Sequence, residues 1–270
     1  MRGLSSLTAF VAAAAALLLA GAGAALAACQ VTVAGGAPGF LPAAFLPAAA
    51  GGDSVRITFA GHASFMVESP EGVGVFTDYN GVIRPKRMPD IVTMNSFHPT
   101  HYTNTVEPEI RHVLRGWDPA GGTPRHDLMV KDMRVRNIPT NFGEGTGDLA
   151  SAGNSIFYME AAGVCVVHLS HTHHVLSPAQ LQPIRDADVL MVPIDGMWTM
   201  SLDEAFDIIG HIRPRLIIPM HYGNQWSIQK FVARAQAAFP LGRHDADWID
   251  VSLKTLPQKT EVLFLKGEIY

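Results

Sequence analysis

A change of rhythm near residue 177 leaves few folds open to this chain. Before it, short β-type runs follow one another closely: VRITFA, SFMVES, GVGVFTDY, DIVTMNS, the pair within DLMVKDMRVRNIPT, and NSIFYME and VCVVHLS around an Ala-Ala-Gly turn. Gly or Pro-Glu-Gly turns separate most of the early runs, which predicts an antiparallel opening, and a helical stretch is expected near Val106–Leu114. After it, SPAQLQPIRD, ADVLMVPI, SLDEAFDIIGHI, RLIIPMHY and WSIQKFVARAQAAF alternate helix and short apolar strand, the pattern of βα units with helices outside a sheet. Ser201 and Glu204 form a capping-box signature, and Leu202, Ala205, Phe206, Ile209 and Ile212 recur on one helical face that belongs to the core. A β-rich half running into a βα half, with neither linker nor repeat between them, reads as one α/β domain over residues 54–270, with two sheets and covering helices in four layers.

The composition suits a packed core, with 48% hydrophobic and 16% charged residues among 270. Much of the apolar excess lies in residues 1–28, where Arg2, an Ala/Leu run and a small-residue end have the form of a secretory signal. Two cleavage readings stand. Ala25-Leu26-Ala27 suits signal peptidase, whereas Leu26-Ala27-Ala28-Cys29 resembles a bacterial lipobox that would make a lipidated Cys29 the membrane attachment. Either one predicts export to the periplasm. Residues 29–53, rich in Ala, Gly and Pro and uncharged before Asp53, read as a tether. If Cys29 is acylated, Cys165 inside GVCVVHLS is left as a small buried hydrophobe; a Cys29–Cys165 pair requires cleavage after Ala27. The net charge of −4 argues against a dedicated nucleic-acid binder.

Of the 12 histidines, five stand just after apolar strands: His98 and His101, His168 and His171, and His221. Loops converge at strand ends along one sheet edge, and neutral imidazole is a good ligand for zinc, iron and manganese-like ions. The five therefore predict a metal centre or, without an ion, a neutral polar pocket for a small polar or anionic ligand. For His62, in GHASF, a site role and a turn role both stay open; His173 is assigned to solvent, His174 to a cleft wall and Asp195 to a turn. Arg111, Arg115, Arg134 and Arg136 form a basic patch suited to an anionic small-molecule substrate.

The strings GHASF at 61–65, TDYN at 77–80, DIVTMNSFHPTHY at 90–102, VVHLSHTHH at 166–174, ADVLMVPIDG at 187–196 and IIPMHY at 217–222 occur in an order that resembles the metallo-β-lactamase superfamily. The nearest branch by these strings is the UlaG-like hydrolases. The resemblance runs from about Val55 to Tyr222 and beyond. It implies an αββα sandwich with a metal site on one edge, where an activated water cleaves an ester, lactone or phosphodiester bond. The family's His-x-His-x-Asp-His loop falls on Ser96-Phe97-His98-Pro99-Thr100-His101, so its first His and its Asp are missing. The next family His matches His168, the bridging Asp falls on His171, and the last His matches His221. A neutral imidazole cannot bridge two metals, so one ion is implied in preference to two: zinc, with manganese or iron as alternatives. By family position His101, His171 and His221 would hold it, while His98 and His168 serve as weak further ligands or as general acid–base groups. The rival reading is a degenerate member that binds a small anionic ligand without cutting it.

Overall fold

A computed structural model describes residues 52–141 and 153–267. The expected leader and almost all of the tether lie outside the described residues. Strands β1 (Val55–Gly61), β2 (Ser64–Glu68) and β3 (Gly74–Phe76) pair antiparallel. In β1 every second residue is buried, so Val55, Ile57 and Phe59 face inward, as the period of two requires. Strands β4 (Ile91–Met94) and β5 (His112–Arg115) then join in parallel, so the antiparallel expectation holds only for the first three strands. The helix expected over Val106–Leu114 does not form: its last part is β5. Pro108 disfavours helical backbone at Glu107, and His112–Arg115 gains a full set of pairings beside β4 instead.

The second sheet begins as a meander of β6 (Asp127–Val130), β7 (Met133–Thr140), β8 (Asn154–Ala161) and β9 (Val164–His168). It continues in parallel through β10 (Val189–Pro193) and β11 (Leu216–Met220), with α1 (Pro178–Leu181), α2 (Leu202–Ile212) and α3 (Gln225–Ala235) between and after them. Strands β12 (Leu241–Arg243) and β14 (Glu261–Phe264) close this eight-stranded sheet, while β13 (Trp248–Val251) crosses over to pair with β1 in the six-stranded one. The capping box at Ser201–Glu204 forms as the sequence predicts, and a second one caps α1 at Ser177. Strands β9, β10 and β11 are buried along their whole length, as parallel strands between helices and a second sheet must be.

Ile57, Phe65 and Val67 of one sheet share a core with Phe157, Val166, Leu190 and Ile217 of the other, and with Ile208 and Ile212 of α2. The opposite face of the six-stranded sheet carries Met66, Phe76, Val92 and Met94, which pack under Ile83, Tyr102 and Val106. Among the described residues that outer cover is therefore loop, and the helices sit on the eight-stranded sheet. Cys165 is fully buried and disulfide-bonded, which corrects the reading of a lone cysteine; its partner lies outside the described residues. Half of the basic patch is tied off: Arg134 pairs with Asp127 at 2.8 Å and Arg136 with the buried Glu160 at 2.5 Å.

Gly116 marks one place where the two sheets meet. Its N–H donates to the Met94 carbonyl, its carbonyl accepts from the Ser155 hydroxyl, and a Cβ here would sit 2.1 Å from the Asn95 carbonyl oxygen. That contact is backbone and cannot yield. Gly116→Ala is expected to destabilise the fold by at least about 1–3 kcal/mol, the ordinary cost of overpacking, read as a lower urea midpoint; an unchanged midpoint would show that the sheets can part here.

Candidate metal centre

Because β10 and β11 run parallel to β9, their C-terminal ends share one edge, which brings His171, Asp195 and His221 together. The loop after β4 supplies His98 and His101 from the other sheet, and the β1–β2 turn supplies His62. The two sheets are stitched at this point, since the His221 N–H donates to the His62 carbonyl at 2.8 Å. His62, Asp78, Ser170 and His221 all adopt left-handed backbone, with φ between 52° and 61°. Non-glycine residues hold that conformation only where their surroundings over-determine it, a condition met mainly at functional sites.

The rings form a tight cluster. His101 lies 4.4 Å from His171, His62 lies 4.1 Å from His221, and His98 stacks on His171 at 5.3 Å, centroid to centroid. Two sets of three donors fall close enough to share an ion: His62 with His101 and His221, and His98 with His101 and His171. The trio expected from the resemblance, His101, His171 and His221, is thus divided between two sets, both of which need His101. His62, whose role the sequence left open, stands in one of them.

Two carboxylates orient the cluster from behind. Asp78 accepts from His101 Nδ1 at 2.7 Å, with both side chains fully buried. Asp195 Oδ1 lies 3.1 Å from His221 Nδ1, close but poorly aligned for a hydrogen bond. Its Oδ2 accepts the N–H groups of Met197, Trp198 and Thr199, so Asp195 makes the expected turn and also faces the site. A carboxylate behind an imidazole fixes its tautomer and presents the other nitrogen as a lone-pair donor. The donor set fits a metal ion: Nε2 of His101 and Nε2 of His62 are buried without a hydrogen-bond partner in the protein.

Burial, with the neighbouring imidazoles second, lowers the pKa of His62 to about 4 and drives that of His171 far below its ordinary value. Burial lowers His98 and His173 as well, in His173 against the opposing pull of Asp195. These rings are neutral at pH 7, the state in which imidazole donates a lone pair. Burial works to raise Asp78 and Asp195, yet contacts with His101 and His221 respectively outweigh it and keep both carboxyls below the usual range.

His168 stands apart from the donor sets and corrects its assignment as a ligand or acid–base group. Its Nε2 lies 2.7 Å from the Ala63 carbonyl, and its Nδ1 lies 2.9 Å from Asn95 Nδ2 and 3.0 Å from the Ser170 N–H. Both nitrogens are spent on protein partners. His174 is similarly committed, to Val175 O and to the Asn141 N–H. His173 is half-buried with its ring 4.6 Å from His171, at the edge of the cluster and not in solvent. His98 Nδ1 contacts the Thr100 hydroxyl at 2.7 Å, where the family motif has its Asp. Asp78 was missed in the sequence because a lone Asp after a strand carries no spacing signal of its own.

Asp195→Asn keeps the size of the side chain but weakens the hold on His221. Metal affinity is expected to fall about 10–100-fold, the usual cost of losing a carboxylate behind a ligand, measured by competition with a metallochromic chelator. An unchanged affinity would separate Asp195 from the centre.

A model of the beta-lactamase superfamily domain matches residues 56–221 of this chain. A UPF0173 protein from Pyrococcus furiosus is 30% identical over 182 residues, covering 63% of this chain and 84% of its own. A UPF0173 metal-dependent hydrolase from Archaeoglobus fulgidus is 24% identical over 241 residues, or 80% and 98% of the two chains. Among solved structures, a protein described as a Zn-dependent hydrolase of the metallo-beta-lactamase superfamily, from Thermotoga maritima, superposes with a TM-score of 0.60 at 25% identity, covering 79% of this chain and all of its own. With its sandwich of two mixed sheets and its histidine-lined edge, the chain belongs to the metallo-β-lactamase superfamily of metallo-hydrolases.

Proposed function

We propose that this chain is an exported hydrolase that cleaves an ester, lactone or phosphodiester bond using one transition-metal ion, zinc before manganese or iron. The observation that carries the reading is His101. Asp78 holds its Nδ1, so it offers a single donor atom, Nε2, and both three-histidine sets require that atom. One ion at a time is the consequence. Three neutral imidazoles with a fourth position open suit catalytic zinc. When bound, such an ion supplies Lewis acidity, which acidifies water and polarises a carbonyl or phosphoryl oxygen.

The chain's own residues prepare that chemistry. Asp78 and Asp195 set the orientation of His101 and His221, and burial keeps His62 and His171 neutral. With the ion held by His62, His101 and His221, His98, half-buried and stacked on His171, would be the ring placed to carry a proton to or from the reacting group. Export rests on residues 1–28; with Cys165 disulfide-bonded in a chain of two cysteines, cleavage after Ala27 is favoured over a lipid on Cys29. The test is hydrolysis of p-nitrophenyl acetate by the mature chain. Activity is expected to vanish on chelation, return with zinc and fall by at least about tenfold in His221→Ala. Activity indifferent to the chelator would reject the reading, and absence of hydrolysis by zinc-loaded protein would favour a non-catalytic binder of a small ligand.

A further inference from the structure

The mouth of the histidine cluster is flanked by large apolar side chains that the fold leaves exposed. Phe97, next to His98, is 55% exposed, stacks on Tyr102 and packs at a tilt against Trp117. On the other flank, Met197 and Trp198 follow Asp195 across Gly196 and are 69% and 63% exposed. Trp198 packs near Gly223, two residues beyond His221. Burying these side chains within the fold would have been favourable, and large apolar side chains left exposed beside a site commonly mark what the site binds.

The charges point the same way. His101 and His221 pair with Asp78 and Asp195, and no lysine or arginine pairs with His62, His101, His171 or His221 among the described residues. Two carboxylates and one divalent cation sum to no net charge, so the loaded centre does not attract an anion as a cationic one would. Of the four arginines that the sequence offered for an anionic substrate, Arg134 and Arg136 are held by Asp127 and Glu160.

Resting on the hydrolase reading for the word substrate, we infer that the site takes a neutral ester or lactone whose apolar acyl or aryl group lies between Phe97 and Trp198. The preference is for uncharged apolar compounds over phosphodiesters and other anions.

The test is calorimetric binding of two uncleaved neutral amides, N-octylacetamide and N-ethylacetamide, and of the anion octyl phosphate, to zinc-loaded and metal-stripped protein. N-octylacetamide is expected to bind at least about tenfold more tightly than N-ethylacetamide, which two buried methylenes suffice to produce. That preference should persist without metal, so it survives even if the metal-centre reading fails. On zinc-loaded protein the neutral amide should also bind more tightly than octyl phosphate. Phe97→Ser and Trp198→Ser, both at exposed positions, should each weaken the octyl compound by at least about threefold; Met129→Ser, exposed on the edge strand β6, should not. Equal binding of the two amides, preference for octyl phosphate, insensitivity to both serine variants, or association only with phosphatidylcholine vesicles would overturn the inference.

Discussion

Replacing His101 with alanine is expected to remove retained metal altogether, whereas His62→Ala or His98→Ala should each leave weaker but measurable binding. The asymmetry follows from the two donor sets: each outer histidine belongs to one, and His101 belongs to both. The same substitution carries a folding cost. Asp78 is fully buried, and its Oδ2 is matched by His101 Nδ1. Leaving that carboxylate without its partner should destabilise the protein by about 3–5 kcal/mol, the range for stranding one member of a buried charged pair. Asp78→Asn in the His101→Ala background should recover part of the stability and none of the metal. Elemental analysis and urea unfolding of the unaltered protein and the four variants check both parts. Equal loss of metal in His62→Ala and His101→Ala would show that the sets do not compete for one shared donor.

His168→Ala should do the opposite: a large loss of stability with metal stoichiometry retained in the folded protein. The side chain is fully buried, and its removal strands the Ala63 carbonyl, the Asn95 amide and the Ser170 N–H. Each unsatisfied buried group costs about 1–3 kcal/mol, so a total of at least about 3 kcal/mol is expected. Those three partners belong to the turn carrying His62, the loop leading to His98 and the loop leading to His171. A thermal melt reads the first effect and metal analysis at low temperature reads the second. Loss of the ion from folded protein with little change in melting would return His168 to the ligands.

Much of this was legible in the sequence because periodicity reports local burial. The β1–β2 hairpin, the β8–β9 hairpin and the β10–α2–β11–α3 alternation all appear where strand-length and helix-length apolar patterns place them. The failures are tertiary. Residues 106–114 were read as helix because composition alone could not show that β5 would pair beside β4. Strand β13 was not foreseen because Trp248–Val251 leaves its sequence neighbours to pair with β1, nearly two hundred residues away.

The candidate site divides in the same way. His98, His101, His171 and His221 were identified by their positions at strand ends, and the structure brings their rings into one cluster. What each nitrogen does depends on partners distant in sequence. Asn95 and Ala63 claim His168, Asp78 claims one side of His101, and the β1–β2 turn adds His62. Ser96, where the family loop begins with His, instead forms a bridge with Asn154 between the sheets. The sequence shows that a ligand is missing there, but not what the backbone does in its place.

The most direct measurement is zinc content per chain after reconstitution of the full mature protein and exhaustive dialysis. Because His101 provides one donor to two competing sets, about one equivalent of zinc is expected, consistent with a single three-histidine centre. Two retained equivalents, or less than about a tenth of one, would contradict a shared single-ion site at this histidine cluster.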